Sequence, residues 1–494
     1  MYKIEICFLD KDFEHDIYEL IKAFYPEAEI RMTYEAEETH FCDLLFVSSK
    51  AEGSYLIRYE GEGKSGQISI KESESRRENK DHLKYALYQD VLVKLTGRTL
   101  PWGNLTGIRP VKLAMGMLDT GLTNVQTAQE MRDRYLVSPK KTALAVAIAN
   151  REKDILKDID YDKGYSLYVG IPFCPSICLY CSFSSYPLKL WASRTDEYLD
   201  ALCKEAEAVA SLMKSLGRKL DTIYIGGGTP TTLEPYQLER LLDCLSHQFG
   251  YDGLLEFTVE AGRPDSITKE KLASIHRFPV TRISVNPQTM NQTTLNLIGR
   301  KHSVEDTKKA FELAREQGFD NINMDLIVGL PGEDYAMVEY TLEQVKALDP
   351  DSLTVHSLAV KRAARLNIFR DQYQEMTFEN NQEIMELTMK TAYEMEMSPY
   401  YLYRQKNMKG NFENVGYAKV DKAGIYNILI MEEKQPIIAL GAGGSSKLVF
   451  DHERRIERVE NVKDVTNYIS RIDEMIQRKQ NGITRWLRDW REDS

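Results

Sequence analysis

A chain of 494 residues with 43% hydrophobic side chains can bury a large core and, at roughly 100 to 200 residues per domain, has room for two or three domains. Its 75 acidic residues outnumber 64 basic ones, and the net charge of -11 is spread along the chain, which excludes the broad basic face that selects nucleic acid. No stretch approaches 18 apolar residues, so no membrane span is expected. The start, "MYKIEICFLDKDFEHDIYELI", is broken by charge every few residues and reads as neither a signal peptide nor a span.

Residues 1–80 read as a small α/β module. "YKIEICFL" and "CDLLFVSS" are expected strands, "DFEHDIYELIKAFYP" an amphipathic helix stopped by proline, and "SYLIRYEG" with "GQISIKE" a hairpin. "ESESRRENKDH" reads as a polar hinge, and 81–160 as a helical connector interrupted by "PWGNLTGIRP", a helix-joining turn or a substrate-facing loop carrying Trp102, Arg109 and Pro110.

From residue 161 to 372 strand-like runs alternate with helical patterns. The runs are "SLYVGIP", "DTIYIGGG", "LEFTVEAG", "TRISVNPQ", "INMDLIVGLP" and "SLTVHSLAV". This alternation predicts an α/β fold with a parallel sheet and right-handed crossovers, either open or closed into a partial barrel. In both arrangements chemistry gathers at the carboxyl ends of strands, which draws attention to Gly226 to Gly228, Glu260, Gln288 and Asp325. Residues 373–494 read as a smaller C-terminal α+β domain ending in an amphipathic helix.

The chemistry concentrates in "GIPFCPSICLYCSF", where Cys174, Cys178 and Cys181 stand four and three residues apart in a loop after a strand, out of 7 cysteines in all. A reduced, cytosolic setting favours metal or redox chemistry over disulfides. Structural zinc would want a fourth ligand at matching spacing, and the sequence offers none. Three thiolates suffice for an iron–sulfur cluster whose fourth iron stays open, shielded by Phe173, Ile177, Leu179 and Tyr180. "IGGGTPT", 225–231, is by itself only a glycine turn after a strand.

These motifs resemble the radical S-adenosylmethionine (SAM) enzymes, whose signature is the same triple spacing with an aromatic before the last cysteine. The resemblance implies a partial (β/α)6 barrel, a [4Fe-4S] cluster on the three cysteines, and SAM on the open iron, with Gly227, Gly228 and Thr229 in the segment that binds its amino group. Over 165–360 the chain is similar to the oxygen-independent coproporphyrinogen III oxidases, or coproporphyrinogen dehydrogenases. Tyr168, Tyr180, Glu260, Gln288, Arg300 and Asp325 fall on family positions around SAM. "PWGNLTGIRPVK", "LAVKRAARL", "YYLYRQKNM" and "ALGAGGSSK" resemble the Z-type branch and extend the likeness over nearly the whole chain.

The family implies oxidative decarboxylation of two propionates of coproporphyrinogen III to vinyl groups, a tetrapyrrole substrate, and an electron donor such as flavodoxin or ferredoxin. Arg282, Arg300, Lys361, Arg362 and Arg365 are candidates for a carboxylate clamp. The chain departs from the family's best-known oxidases at Gly170, where histidine is usual, and at Phe183, where they carry a fourth cysteine. Phe183 is shared with a heme-chaperone branch, yet a histidine–asparagine motif typical of the family's C-terminal domain reads "IYNILIM" here, keeping Asn427 without the histidine and weakening heme ligation. A heme chaperone, or an enzyme of another tetrapyrrole, is the alternative.

Overall fold

The computed structural model describes residues 2–35, 42–61, 63–107, 109–182, 185–359, 380–404, 412–450 and 455–492. Phe183, Lys361, Arg362 and Arg365 lie outside the described residues. The chain forms two compact units, Met1–Asn150 with Leu402–Glu413, and Arg151–Tyr401 with Asn414–Ser494.

The first unit holds strands β1 (Lys3–Phe8), β2 (Glu29–Thr33), β3 (Leu44–Ala51), β4 (Ser54–Gly61) and β5 (Lys64–Lys71), in sheet order β2-β1-β3-β4-β5. β1 runs parallel to β2 and β3, while β3, β4 and β5 form an antiparallel meander. Helix α1 (Glu14–Phe24) buries Ile17, Leu20, Ile21 and Phe24, spaced three and four apart, against the sheet's Ile4, Ile6 and Phe46. β2 was not among the expected strands, because its alternation of Glu29, Ile30, Arg31 and Met32 leaves most of it exposed.

The expected hinge is instead helix α2 (Arg76–Ala86), continued to Thr96 by a π-helical turn and a last α turn. Ser75 caps it by accepting the Glu78 N–H at 3.3 Å, and Leu83 and Leu87 anchor it in the core. Further helices are α3 (Pro110–Asp119), α4 (Asn124–Tyr135) and α5 (Pro139–Ile155).

In the second unit six strands pair in parallel and in chain order: β6 (Gly164–Ile171), β7 (Lys219–Gly227), β8 (Glu256–Gly262), β9 (Arg282–Val285), β10 (Ile322–Val328) and β11 (Ser352–Ser357). The crossovers contain α6 (Thr195–Ser215), α7 (Pro235–Phe249), α8 (Lys269–His276), α9 (Val304–Glu316) and α10 (Tyr335–Leu348). This is the βα alternation of the expected partial barrel.

Side chains alternate along each strand. Leu167, Val169, Ile223, Ile225, Phe257 and Val259 form the apolar face. The other face is polar and bonded across strands: Thr222 to Ser166 at 2.8 Å, Arg282 to Ser352 at 3.3 Å, and Ser352 and Thr354 to Asn323 at 3.0 and 3.2 Å.

The chain beyond residue 380 begins with helix α11 (Gln382–Glu394) and adds strands to both edges of this sheet. On the β11 side lie β12 (Ser398–Tyr403) and β13 (Asn414–Ala418), the latter antiparallel to β11. On the other side β14 (Ile437–Leu440) runs parallel to β6 and is followed by antiparallel β15 (Ser445–Phe450) and β16 (Arg455–Glu460). Between them α12 (Ile425–Glu432) brings Tyr426 onto the polar face, and α13 (Ile472–Glu492) packs on α6 and β15. No helix among the described residues is long and apolar enough to cross a membrane.

Candidate active site at the cysteine loop

The three cysteines sit in the loop that leaves β6, none of them in a disulfide. The Cys181 N–H donates to the Cys178 carbonyl at 3.2 Å, and Leu179 N–H to the Ile298 carbonyl at 2.9 Å, tying the loop to the segment before Arg300. Leu179 also packs among Leu295, Ile298, Ile327 and Leu330, with Tyr180 against the same cluster.

The glycine segment after β7 supports the loop from the other side. Gly228 and Thr229 donate their N–H groups to the Ile171 and Phe173 carbonyls, both at 2.7 Å, and the Thr229 hydroxyl lies 3.7 Å from the Cys174 sulfur. A Cβ on Gly228 would meet the Phe173 oxygen at 2.4 Å, so only glycine admits this approach, and Gly227 has φ of 109°. Gly170 is also closely approached: a Cβ there would lie 3.2 Å from the Leu440 carbonyl of neighbouring β14, tighter than ordinary van der Waals contact.

Beside Cys178 stand two arginines. Arg263 Nη1 lies 3.8 Å from the sulfur, and the same nitrogen donates to the Ser176 carbonyl and hydroxyl at 3.0 and 2.8 Å. Arg300 donates to the Asn286 carbonyl at 2.6 Å and to the Tyr180 hydroxyl at 3.2 Å, with Cys178 as a further neighbour, so its terminal nitrogens are engaged within the site. Burial opposes its charge, but Tyr180 and Cys178 leave its pKa raised. His302, buried beside Arg300 and Asp265, is pushed down to about 4 by burial and the Arg300 charge, so it is neutral at pH 7. Burial raises the Cys174 thiol to about 11 despite the Thr229 hydroxyl.

On the polar face Tyr168 is in register with Tyr224, and their rings stack 6.3 Å apart. Tyr426 completes the stack, 4.5 Å from Tyr224. Tyr224 donates its hydroxyl to Glu260, which also faces the Gly227 N–H. Burial lifts Glu260 to about 7, against the hydrogen bond from Tyr224. Asp325 sits mid-strand in β10, with Asn323 donating to it at 2.7 Å and His356 Nε2 3.9 Å away; burial raises its pKa, but His356, Asn323 and Arg282 leave it lowered overall. Gln288, in the left-handed region at φ of 68°, donates its N–H to the Asp325 carbonyl at 2.9 Å.

The sequence-selected residues therefore form linked pairs, Cys174 with Thr229, Cys178 with Arg300, Tyr180 with Arg300, Gly227 with Glu260, and Gln288 with Asp325. Arg282 does not line an open cleft: it is buried on the polar face among Glu256, Tyr224 and Tyr400. Arg263, His302, Tyr224 and Tyr426 were missed. The glycine and proline flanking Arg263, three residues after Glu260 at a strand end, were the available signal for that one.

The donor set suits a cluster: Cys174, Cys178 and Cys181 offer three thiols from one loop, none in a disulfide, and cluster thiolates each bind a separate iron. The buried Gln288 Oε1 and Asn286 Oδ1 lack hydrogen-bond partners among the described residues, an arrangement that accommodates a polar ligand.

The sequence profile of the Radical SAM superfamily matches residues 168–345, the stretch containing this site. Such proteins use a [4Fe-4S] cluster and SAM. The chain is 37% identical over 462 residues, 91% of each chain, to the oxygen-independent coproporphyrinogen-III oxidase-like protein HemZ of Bacillus subtilis. It belongs to that family. It is also 41% identical over 197 residues to the heme chaperone HemW of B. subtilis, covering 40% of this chain and 51% of that protein. To the oxygen-independent coproporphyrinogen III oxidase of Escherichia coli it is 31% identical over 249 residues, 50% of this chain and 53% of the other. The solved structure of E. coli coproporphyrinogen III oxidase HemN has the same fold, with a TM-score of 0.52 and 24% identity over 64% of this chain and 70% of that one.

Proposed function

We propose that this protein is an oxygen-independent coproporphyrinogen III oxidase that converts two propionate side chains of coproporphyrinogen III to vinyl groups, yielding protoporphyrinogen IX. The observation that carries the reading is the likeness to an oxidase-like protein over 91% of both chains. The adenosyl radical would take a hydrogen atom from the β-carbon of each propionate, and the substrate radical would then release carbon dioxide and pass one electron to an external one-electron acceptor, leaving the vinyl group.

In this reading Cys174, Cys178 and Cys181 hold the cluster, which with SAM bound supplies a 5'-deoxyadenosyl radical. Gly227, Gly228 and Thr229 offer backbone groups to the SAM amino end, and Tyr168 and Tyr180 flank the ligand. Glu260, Gln288 and Asp325 accept hydrogen bonds from its hydroxyls and ammonium. Glu260 near 7 ionises readily once a cationic or donor group faces it. Arg300 orients Tyr180 and, with Arg263, places positive charge beside Cys178. The electron donor would be a flavodoxin or ferredoxin.

The partial match to HemW favours one alternative, a heme chaperone that keeps the cluster. Anaerobic incubation of cluster-loaded protein with reductant, SAM and coproporphyrinogen III separates them. The proposal expects 5'-deoxyadenosine together with divinyl product; 5'-deoxyadenosine without that product overturns it, and tight stoichiometric heme binding supports the chaperone.

A further inference from the structure

Helices α6 and α7 are consecutive crossovers of the six-strand sheet, so they run in the same direction and pack side by side. α6 carries the chain from the cysteine loop to β7, and α7 carries it from the glycine segment to β8.

Polar pairs set the register between the two helices. Asp196 accepts from the Tyr236 hydroxyl and the Gln237 amide, both at 3.0 Å, and one turn further Asp200 is ion-paired with Arg240. The line of contact thus advances from 196 to 200 on α6 while it advances from 237 to 240 on α7. Steps of three or four stay on one helix face, and the next such step reaches Cys203 on α6 and Cys244 on α7. The two side chains meet there in a thiol–thiol hydrogen bond.

Neither cysteine takes part in the proposed chemistry, and neither is in a disulfide or fully enclosed: both are half-buried at the outer layer of the barrel. The pair is also asymmetric. The hydrogen bond from Cys244 holds the Cys203 thiol below its ordinary pKa against burial, and the Arg240 guanidinium adds to the effect. The same hydrogen bond, together with burial, pushes Cys244 up. Cys203 is therefore the better nucleophile, with Cys244 placed to attack whatever bonds to it.

We propose that Cys203 and Cys244 form a reversible redox-modification site, closed to a disulfide by exchange with a low-molecular-weight disulfide. The Cys203 thiolate, its proton released to water, attacks one sulfur of that oxidant; the oxidant's S–S bond breaks and one half leaves as a thiolate that takes up a proton. Cys244 then loses its proton and attacks the Cys203 sulfur, expelling the second half. Two protein thiols are oxidised and one small disulfide is reduced to two thiols. The sulfurs close from hydrogen-bond contact to about 2.05 Å, a side-chain movement in a pair already face to face. The bond staples together the crossovers that leave the cysteine loop and the glycine segment.

The test is anaerobic incubation of the full-length, cluster-loaded chain with oxidised glutathione, followed by tryptic peptide mapping without reductant. The expected result is a cross-linked Cys203–Cys244 peptide, loss of both thiols from titration, and their recovery with dithiothreitol. Cys244→Ser should stop at a glutathione adduct on Cys203, whereas Cys203→Ser should react at Cys244 at least about tenfold more slowly. Absence of the cross-linked peptide from the unaltered chain, whether or not glutathione adducts form, overturns the proposal; equal rates in the two variants overturn the assignment of Cys203 as nucleophile.

Discussion

Arg263 forks onto Asp265 at 2.7 and 2.9 Å while the same guanidinium reaches to 3.8 Å from the Cys178 sulfur. The carboxylate and Ser176 fix its orientation, so the positive charge is delivered to the thiol by a rigid fork rather than a mobile side chain.

Removing that charge should make the cluster harder to reduce. Arg263→Gln is expected to shift the midpoint potential negative, by the energy of a charge-assisted hydrogen bond, about 1.5–3 kcal/mol, with Arg263→Lys recovering part of the shift. Potentiometric titration followed by electron paramagnetic resonance measures it; an unmoved potential would show that Arg263 only braces the loop.

Replacing any one of Cys174, Cys178 and Cys181 by serine should abolish the cluster's visible absorbance and 5'-deoxyadenosine formation. It should also loosen the loop, because cluster binding and local folding are coupled. Iron content and limited proteolysis of the loop report the two effects separately.

Gly228→Ala tests the close approach of the glycine segment. Its Cβ would fall 2.4 Å from the Phe173 oxygen, and backbone cannot yield that far without moving the residue that precedes Cys174. The expected result is at least a tenfold loss of SAM affinity by equilibrium dialysis, whereas Gly116→Ala, in helix α3 with open space at the Cβ position, should bind normally.

Glu260 gives a signed pH dependence. Its carboxyl rises from the ordinary 4.5 to about 7 in the folded chain, chiefly through burial, so the folded state binds more protons than the unfolded one between those values. Stability of the SAM-free protein should therefore fall as pH climbs from about 4.5 to 7, by at most about 3 kcal/mol from this group. Glu260→Gln should flatten that window in urea titrations at pH 5 and 8; an unchanged slope would discard the assignment.

Lys479 and Glu205 are both fully buried, 2.5 Å apart, with Asn461, Tyr468 and the Gly441 N–H completing the carboxylate's shell. Lys479→Met leaves Glu205 charged and unpaired and should cost about 3–5 kcal/mol, read as a fall in the urea midpoint. The double variant with Glu205→Gln should regain part of it.

How much was legible in the sequence depended on the range of each interaction. Six barrel strands stood out because their apolar face is fully buried, and the cysteine spacing stood out because all its ligands lie in one loop. α2 was concealed because its exposed Arg76, Arg77, Glu78 and His82 resemble a solvated linker while only Leu83, Leu87 and the Ser75 cap mark a helix. Arg263 and Tyr426 acquire their roles from partners far along the chain, Cys178 and Tyr224, which no local pattern announces.

The strands beyond residue 380 have a consequence for how the protein can be divided. β13 and β14 cover the two edges of the six-strand sheet, and Tyr426, carried between them, completes the ring stack over Tyr168 and Tyr224. A gene fragment ending after Ser357 would keep every cysteine of the loop yet expose two sheet edges and leave two of the three stacked tyrosines uncovered. The barrel is therefore not a transplantable cassette: whatever specificity is engineered into it must be carried together with its C-terminal strands.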